Sequence, residues 1–266
     1  MKNLNTLSLS LLFLAASLFA ACEGEIQGDF ITPSIDPSTG TNSSYARMIT
    51  VGSYLYAINI NELVTFDATD PSNPTEINRQ DVGDGIETLF HIDGTLLIGS
   101  SQGTFTFTIE STGIPTRRGQ FDYNTLDIPA ERCDPVIASG DIAYATLYTL
   151  SPGEGACGRD QVVNLLVVMD ISDLDNPTLI TTVETLSPRG LAIDGDYLFV
   201  CNDFQGFTIF DVSDPSLPTS INYIPEVEAF DVVAKEGRLI VVGGSELVQF
   251  DYTDIENLVR LSAINI

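Results

Sequence analysis

The sequence has few positively charged residues. Its 266 residues include 11 Lys and Arg against 37 Asp and Glu, which gives a formal net charge of −26. Phosphate backbones and anionic lipid headgroups are bound by clusters of Lys and Arg. We therefore expect no nucleic-acid partner and no charge-driven binding to a membrane surface.

The sequence also has few of the side chains that build catalytic and metal centres. There is one histidine, His91, and no tryptophan. Zinc sites made of several imidazoles are excluded, and a Ser-His-Asp triad would have to use His91. No phosphate-binding or dinucleotide-binding glycine motif is present. We expect no catalytic residue, no metal site and no cofactor.

Long hydrophobic runs are absent after residue 22, so no segment predicts a transmembrane helix. The N-terminus has Lys2 and then an apolar stretch, which is typical of an export signal. The stretch LFAAC, from Leu18 to Cys22, resembles the lipobox of bacterial lipoproteins. This resemblance implies a signal peptide over residues 1–21 and acylation of Cys22. The alternative is an ordinary signal peptide followed by an incidental cysteine.

The lipobox resemblance also implies a location. The protein would lie in the cell envelope, bound to the outer membrane only through its lipid, on either the periplasmic or the surface-exposed face. Residues 22–44 are rich in Gly, Pro, Ser and Thr, which predicts a flexible tether. The folded domain would then cover residues 45–266.

A repeated unit fills residues 45–266. Each copy has an apolar strand, a glycine, a second apolar strand, a third strand and a turn rich in Asp, Ser and Pro. The glycines are Gly52, Gly94, Gly140, Gly195 and Gly237. Their intervals of about 42 to 55 residues hold four short strands, which is the period of a propeller blade. The sequence predicts an all-β fold, a five-bladed β-propeller of four-stranded blades, with an all-β solenoid as the alternative.

Two second strands are apolar without interruption, at Tyr197–Cys201 and at Leu239–Val242. A strand with one wet face would alternate between apolar and polar residues. We therefore expect both strands to be buried on both faces between neighbouring blades. Cys201 would then be a buried, inert thiol.

The ends of the third strands carry a recognisable pattern. The stretches LVTFDATD from Leu63, LVVMDISD from Leu166 and FDVSDPSLP from Phe210 resemble the LVIVD-repeat family of bacterial cell-surface propellers. The resemblance implies the architecture and the location, and it says little about mechanism. The recurring aspartates fit turn chemistry, because Asp accepts backbone N–H bonds in such turns. Calcium binding is the alternative.

One face of the propeller carries the main irregularity of the repeat. We call upper the face with the connections between blades and the loops between second and third strands. Unit three has about 15 extra residues there, within Tyr148–Gln161, and a long connection precedes it. Cys133 and Cys157 both fall in these segments. In an oxidising compartment we expect them to form a disulfide, the alternative being two free thiols.

The centre of the upper face is the candidate site. The residues just ahead of the inner strands would ring the axial funnel, and they are Arg47, Glu87, Asp134, Arg189 and Glu228. Nearby loops offer the aromatic residues Tyr123, Tyr148 and Phe204. We predict a monomeric, non-catalytic binding or scaffold module for a protein or a glycan. The first alternative is a carbohydrate-active enzyme, which needs two carboxylates about 5–9.5 Å apart. The second is a calcium-stabilised surface structure.

Overall fold

The computed structural model describes residues 47–126, 135–148 and 164–266. These residues form five antiparallel sheets of four strands each. The strands, in chain order, are β1 Met48–Val51, β2 Tyr54–Asn59, β3 Glu62–Asp67, β4 Thr75–Asp81, β5 Ile86–Ile92, β6 Thr95–Ser100, β7 Gly103–Ile109, β8 Pro115–Asp122, β9 Val136–Ser139, β10 Ile142–Tyr148, β11 Asn164–Asp170, β12 Thr178–Glu184, β13 Leu191–Asp194, β14 Tyr197–Cys201, β15 Phe207–Asp211, β16 Thr219–Ile224, β17 Asp231–Lys235, β18 Arg238–Val242, β19 Glu246–Asp251 and β20 Val259–Asn265. A 3₁₀ turn, Tyr123–Leu126, follows β8.

Each sheet consists of four consecutive strands, which we call blades 1 to 5. The predicted all-β fold of five four-stranded units is confirmed, and the arrangement is β-propeller-like. In all five blades the pairing of the third and fourth strands shifts register in mid-strand. One structural unit is therefore repeated five times.

Several predictions concern segments that the structure does not describe. They are the signal peptide 1–21, Cys22, the tether 22–44, Cys133, Asp134 and Cys157. Lipidation and the disulfide therefore stay predictions. In the described parts of the chain, no helix combines the length and the hydrophobicity needed to cross a membrane.

The recurring aspartates bond within their own turns on the lower face. Asp67 Oδ1 accepts the Thr69 backbone N–H at 2.8 Å. Asp211 Oδ1 accepts the backbone N–H of Ser213 at 2.9 Å and its hydroxyl at 2.7 Å. Hydrogen bonds from the side chain and then from the backbone of Thr69 and of Ser213 hold the pKa of these two carboxyls below the ordinary value. They are the hydrogen bonds expected of turn residues.

The hydrophobic core lies between neighbouring blades. One cluster joins blades 2, 3 and 4, a second joins blades 4 and 5, and a third joins blades 1 and 2. In β14, Leu198 to Cys201 are fully buried, as predicted, whereas Tyr197 at its start is only half-buried. Burial raises the pKa of the Cys201 thiol. The corresponding prediction for Leu239–Val242 is wrong, because Ile240 is 42% exposed. Among the described residues, only one face of β18 packs against another blade.

Candidate binding site on the upper face

A cavity of about 400 Å³ opens on the upper face at the junction of blades 4 and 5. Three segments supply its lining. Arg189 comes from the connection into β13, and Asp203 and Phe204 come from the loop between β14 and β15. Phe230 and Asp231 come from the entry to β17. The cavity therefore combines two aromatic rings with one cationic and two acidic side chains.

An ion pair forms the polar wall of this cavity. Arg189 Nη2 lies 2.7 Å from Asp203 Oδ2, and Arg189 Nε donates to the same oxygen at 3.2 Å. The guanidinium also lies 4.2 Å from the centre of the Tyr148 ring and donates to the Tyr148 hydroxyl. Both partners of the ion pair are mostly buried, so the guanidinium is held in one orientation.

Backbone hydrogen bonds fix the connections that carry these side chains. The Arg189 N–H donates to the Cys201 carbonyl at 2.8 Å, and its own carbonyl accepts the Thr146 hydroxyl at 2.6 Å. Gly190 N–H donates to the Phe230 carbonyl at 3.0 Å. A Cβ at Gly190 would lie 2.3 Å from Asp231 Oδ1, so only glycine permits this close approach.

Phe204 is an exposed hydrophobic side chain on a tightly held loop. It is 69% exposed, and its ring packs edge-on against Phe230 with a centroid distance of 5.3 Å. Asp203 has a φ of +60°, and its carbonyl accepts the Ala229 N–H at 2.8 Å. Asp tolerates this left-handed conformation better than most residues. The loop therefore presents a pre-positioned aromatic surface to solvent, which is typical of a binding surface.

A second group of titratable side chains comes from the start of blade 1, from β5 and from the end of β10. Burial raises the pKa of Glu87, and Arg47 partly offsets this effect. Burial also raises the pKa of Tyr148, against the opposing effect of Arg189, and the charge of Glu87 adds to the increase. Electrostatic coupling thus connects Glu87 to the Tyr148–Arg189 pair.

The predicted funnel residues that the structure describes have different surroundings, and the predicted ring stays a prediction because Asp134 lies outside the described residues. Arg189 lines the cavity, whereas Glu87 interacts with Arg47 and Tyr148. Glu228 lies beside the cavity, where its Oε2 accepts the Gly244 N–H at 3.1 Å. A Cβ on Gly244 would also lie 3.1 Å from the Phe230 ring.

The three predicted aromatic residues have different environments. Phe204 lines the cavity and Tyr148 supports Arg189. Tyr123 offers no surface, because it is fully buried with its hydroxyl 2.8 Å from the Thr104 hydroxyl. Phe230 was not predicted from the sequence, although this residue follows Glu228 by two positions in the same connection.

The two acidic residues of the cavity were not predicted from the sequence either. Asp203 directly precedes Phe204 in the same loop, and this adjacency is the sequence feature that could have identified it. Asp231 begins an inner strand, like the predicted funnel residues. Within residues 47–126, 135–148 and 164–266, no three His, Cys, Asp or Glu side chains are grouped so that they could hold a metal ion.

Solved structures similar to this chain share its fold at low sequence identity. A functionally unknown protein from Desulfotomaculum acetoxidans aligns with a TM-score of 0.62 and 11% identity, over 85% of this chain and 70% of that one. Apo AztD from Citrobacter koseri aligns with a TM-score of 0.57 and 13% identity, over 81% and 60%. The computationally designed protein Ika8 aligns with a TM-score of 0.56 and 9% identity, over 82% and 60%. The chain thus spans only 60–70% of these longer chains.

Family comparison gives a more specific result than the solved structures. No curated protein matches the chain. The LVIVD repeat model matches residues 45–82, 161–185 and 187–223. These segments cover blade 1, the outer half of blade 3 and blade 4. The chain therefore carries LVIVD repeats in three of its five blades, as the resemblance of its turn sequences predicted.

Proposed function

We propose that the protein is a non-catalytic binding module that presents the cavity of blades 4 and 5 to a protein or a glycan. The observation that supports this proposal is Phe204. A large apolar side chain is held in solvent beside a second ring and an oriented Arg–Asp pair. Aromatic rings stack on sugars and on apolar side chains, while the polar groups around them fix orientation.

The proposed setting is the cell envelope, with the domain anchored to the outer membrane through acylated Cys22 and spaced from it by residues 22–44. A disulfide between Cys133 and Cys157 would stiffen the extra upper loops of blade 3. The proposal includes no cofactor and no nucleic-acid partner. The proposed cell-envelope setting is supported by the sequence pattern of the N-terminus and by the LVIVD repeats.

A matched pair of variants tests the binding role. Phe204 and Leu217 are equally exposed, at 69%, but Leu217 belongs to a turn of the lower face. Wild type, Phe204→Ala and Leu217→Ala are measured against immobilised cell-wall polysaccharides and an aromatic-rich peptide library. For any probe that wild type binds, Phe204→Ala should weaken binding roughly 10-fold or more, as loss of an aromatic anchor does. Leu217→Ala should leave binding unchanged, and equal effects of the two variants would refute the site.

A carbohydrate-active enzyme is the second candidate. The observation in its favour is Glu87, whose raised pKa is a property of general acids in glycoside hydrolysis. Against it, the Asp203 carboxylate is already paired with Arg189. Release of reducing ends from the same polysaccharides, abolished by Glu87→Gln, would favour the enzyme over the binding module.

A further inference from the structure

The two end blades lack the neighbour that every internal blade has. Strands of blade 1 pack on blade 2, blade 2 on blade 3, blade 3 on blade 4 and blade 4 on blade 5. Among the described residues, no comparable packing and no hydrophobic cluster connects blade 5 to blade 1. Each end blade therefore has one sheet face without a covering blade.

One position of the second strand reveals the uncovered face of blade 5. The third residue of each second strand points toward the next blade along the chain. In blades 1 to 4 this residue is at most 2% exposed, and in blade 5 it is 42% exposed. The five residues are Tyr56, Leu97, Tyr144, Phe199 and Ile240. Ile240 keeps the apolar character of its equivalents although nothing in the described chain covers it.

One position of the inner strand reveals the uncovered face of blade 1. This residue is the cross-strand partner of the fourth residue of the second strand, and its side chain points toward the preceding blade. In blades 2 to 5 it is fully buried, and in blade 1 it is 61% exposed. The five residues are Met48, Leu89, Val136, Leu191 and Val232. The first blade therefore also exposes an apolar residue at an interface position.

The two uncovered faces are the two halves of an interface that the chain builds four times. In each internal junction, a face equivalent to that of Ile240 packs on a face equivalent to that of Met48. Charges at the lower ends of the end blades are also complementary. Lys235 lies in the strand pair that carries Ile240, while Asp67 and Asp70 occupy the lower turn of blade 1. The neighbouring Arg238 is already paired with Asp251 of the same blade at 2.6 Å. The chain has few cations, so Lys235 on this face favours an acidic partner.

We propose that copies of this chain associate head to tail, with blade 5 of one copy packed on blade 1 of a second copy. A second copy fits because it offers both the apolar residues and the acidic turn that the blade 5 face requires. Head-to-tail contacts place all upper faces on the same side when the ring closes. This assembly differs from the monomer expected from the sequence, and the experiment below decides between them.

The test measures the mass of the full chain by sedimentation over the micromolar range, with Cys22→Ser present to remove the proposed lipidation site. The background chain should sediment as at least two copies. Ile240→Glu and Met48→Glu each place a charge in the interface and should raise the dissociation constant roughly 30-fold or more. Leu179→Glu is the control, because Leu179 is 43% exposed on the outer strand of blade 3. It should leave the mass unchanged, and circular dichroism should show all variants folded.

A mixing experiment distinguishes this interface from any other. The Met48→Glu variant retains a native blade 5 face, and the Ile240→Glu variant retains a native blade 1 face. Their mixture should therefore form a complex of one copy of each at concentrations where each variant by itself stays monomeric. A monomeric background chain, or a mixture that stays monomeric, would overturn the proposal. Dissociation by Leu179→Glu would place the contact on a different surface and would also overturn it.

Discussion

Replacing Gly113 by alanine tests how the lower turn of blade 2 docks on blade 1. Gly113 has a φ of +79°, and a Cβ there would lie 2.3 Å from two atoms of the Tyr54 ring. The Gly113 carbonyl also accepts the Tyr56 hydroxyl at 2.8 Å. The left-handed conformation costs an alanine about 1–2 kcal/mol. Displacing the packed ring adds roughly 1–3 kcal/mol.

Gly52 supplies a matched control for the backbone effect. Its φ is +58°, but a Cβ there would meet no atom within 4 Å. Gly52→Ala should therefore show the conformational cost alone. For a domain of this size, 1 kcal/mol lowers the melting temperature by about 2–4 °C. Gly113→Ala should then melt roughly 2–12 °C below Gly52→Ala.

Far-UV circular dichroism is the suitable probe, because the chain has no tryptophan. Adding Tyr54→Ala to both variants completes the design. Without the ring, Gly113→Ala should cost no more than Gly52→Ala does. Equal melting temperatures of the two single variants, or no relief in the Tyr54→Ala background, would refute the docking of this turn on blade 1.

Three further predictions concern titration, anchoring and cross-linking. Burial lowers the pKa of His91, whose Nε2 accepts the Gly94 N–H at 3.2 Å. The neutral imidazole therefore stabilises the fold fully above the unfolded pKa of about 6.5, and this stabilisation is lost as the pH falls toward the folded pKa. His91→Gln should therefore flatten the melting temperature between about pH 7 and pH 5, and an unchanged slope would contradict this assignment. Cys22→Ser should move the protein from the membrane fraction to the soluble fraction, and a variant that still sediments with salt-washed membranes would exclude the lipid anchor. A non-reduced digest should contain Cys133 and Cys157 in one linked peptide pair, whose bond stabilises by roughly 3 kcal/mol. Separate peptides without reductant would rule this bond out.

The blade repeat could be predicted because its signals are local. Glycines at positive φ, such as Gly52 and Gly195, close two-residue hairpins, and Asp67 or Asp211 caps its own turn within two residues. Each signal needs only neighbouring residues to act. Repetition at a near-constant interval then gives the fold class without any knowledge of long-range contacts.

Burial on particular faces could not be predicted in the same way. The apolar run Leu239–Val242 is as continuous as Leu198–Cys201, yet within the described part of the chain only the latter has neighbouring blades on both faces. Composition of a strand does not state how many sheets pack against it. Tyr123 was misjudged for a related reason, because its partner Thr104 lies 19 residues away. Loop aromatics are exposed or buried according to such distant partners.

The cavity depends on contacts between loops that are far apart in the sequence. Gly190 N–H reaches the Phe230 carbonyl 40 residues later, and the Ala229 N–H reaches the Asp203 carbonyl. No local pattern encodes these bonds. Arg189 and Phe204 could therefore be predicted from the sequence, but the residues that contact them could not. The junction of two blades is what creates the site.

Binding at the cavity and association of copies can be separated experimentally, because they use opposite faces of blade 5. Leu239 and Val241 of β18 point toward blade 4 and help to hold the junction that carries Phe230. Ile240 lies between them in the strand and points away from that junction. Ile240→Glu should therefore break the assembly and leave the ligand affinity of a single copy unchanged. Phe204→Ala should do the opposite, so a loss of both properties in either variant would mean that binding requires the assembled form.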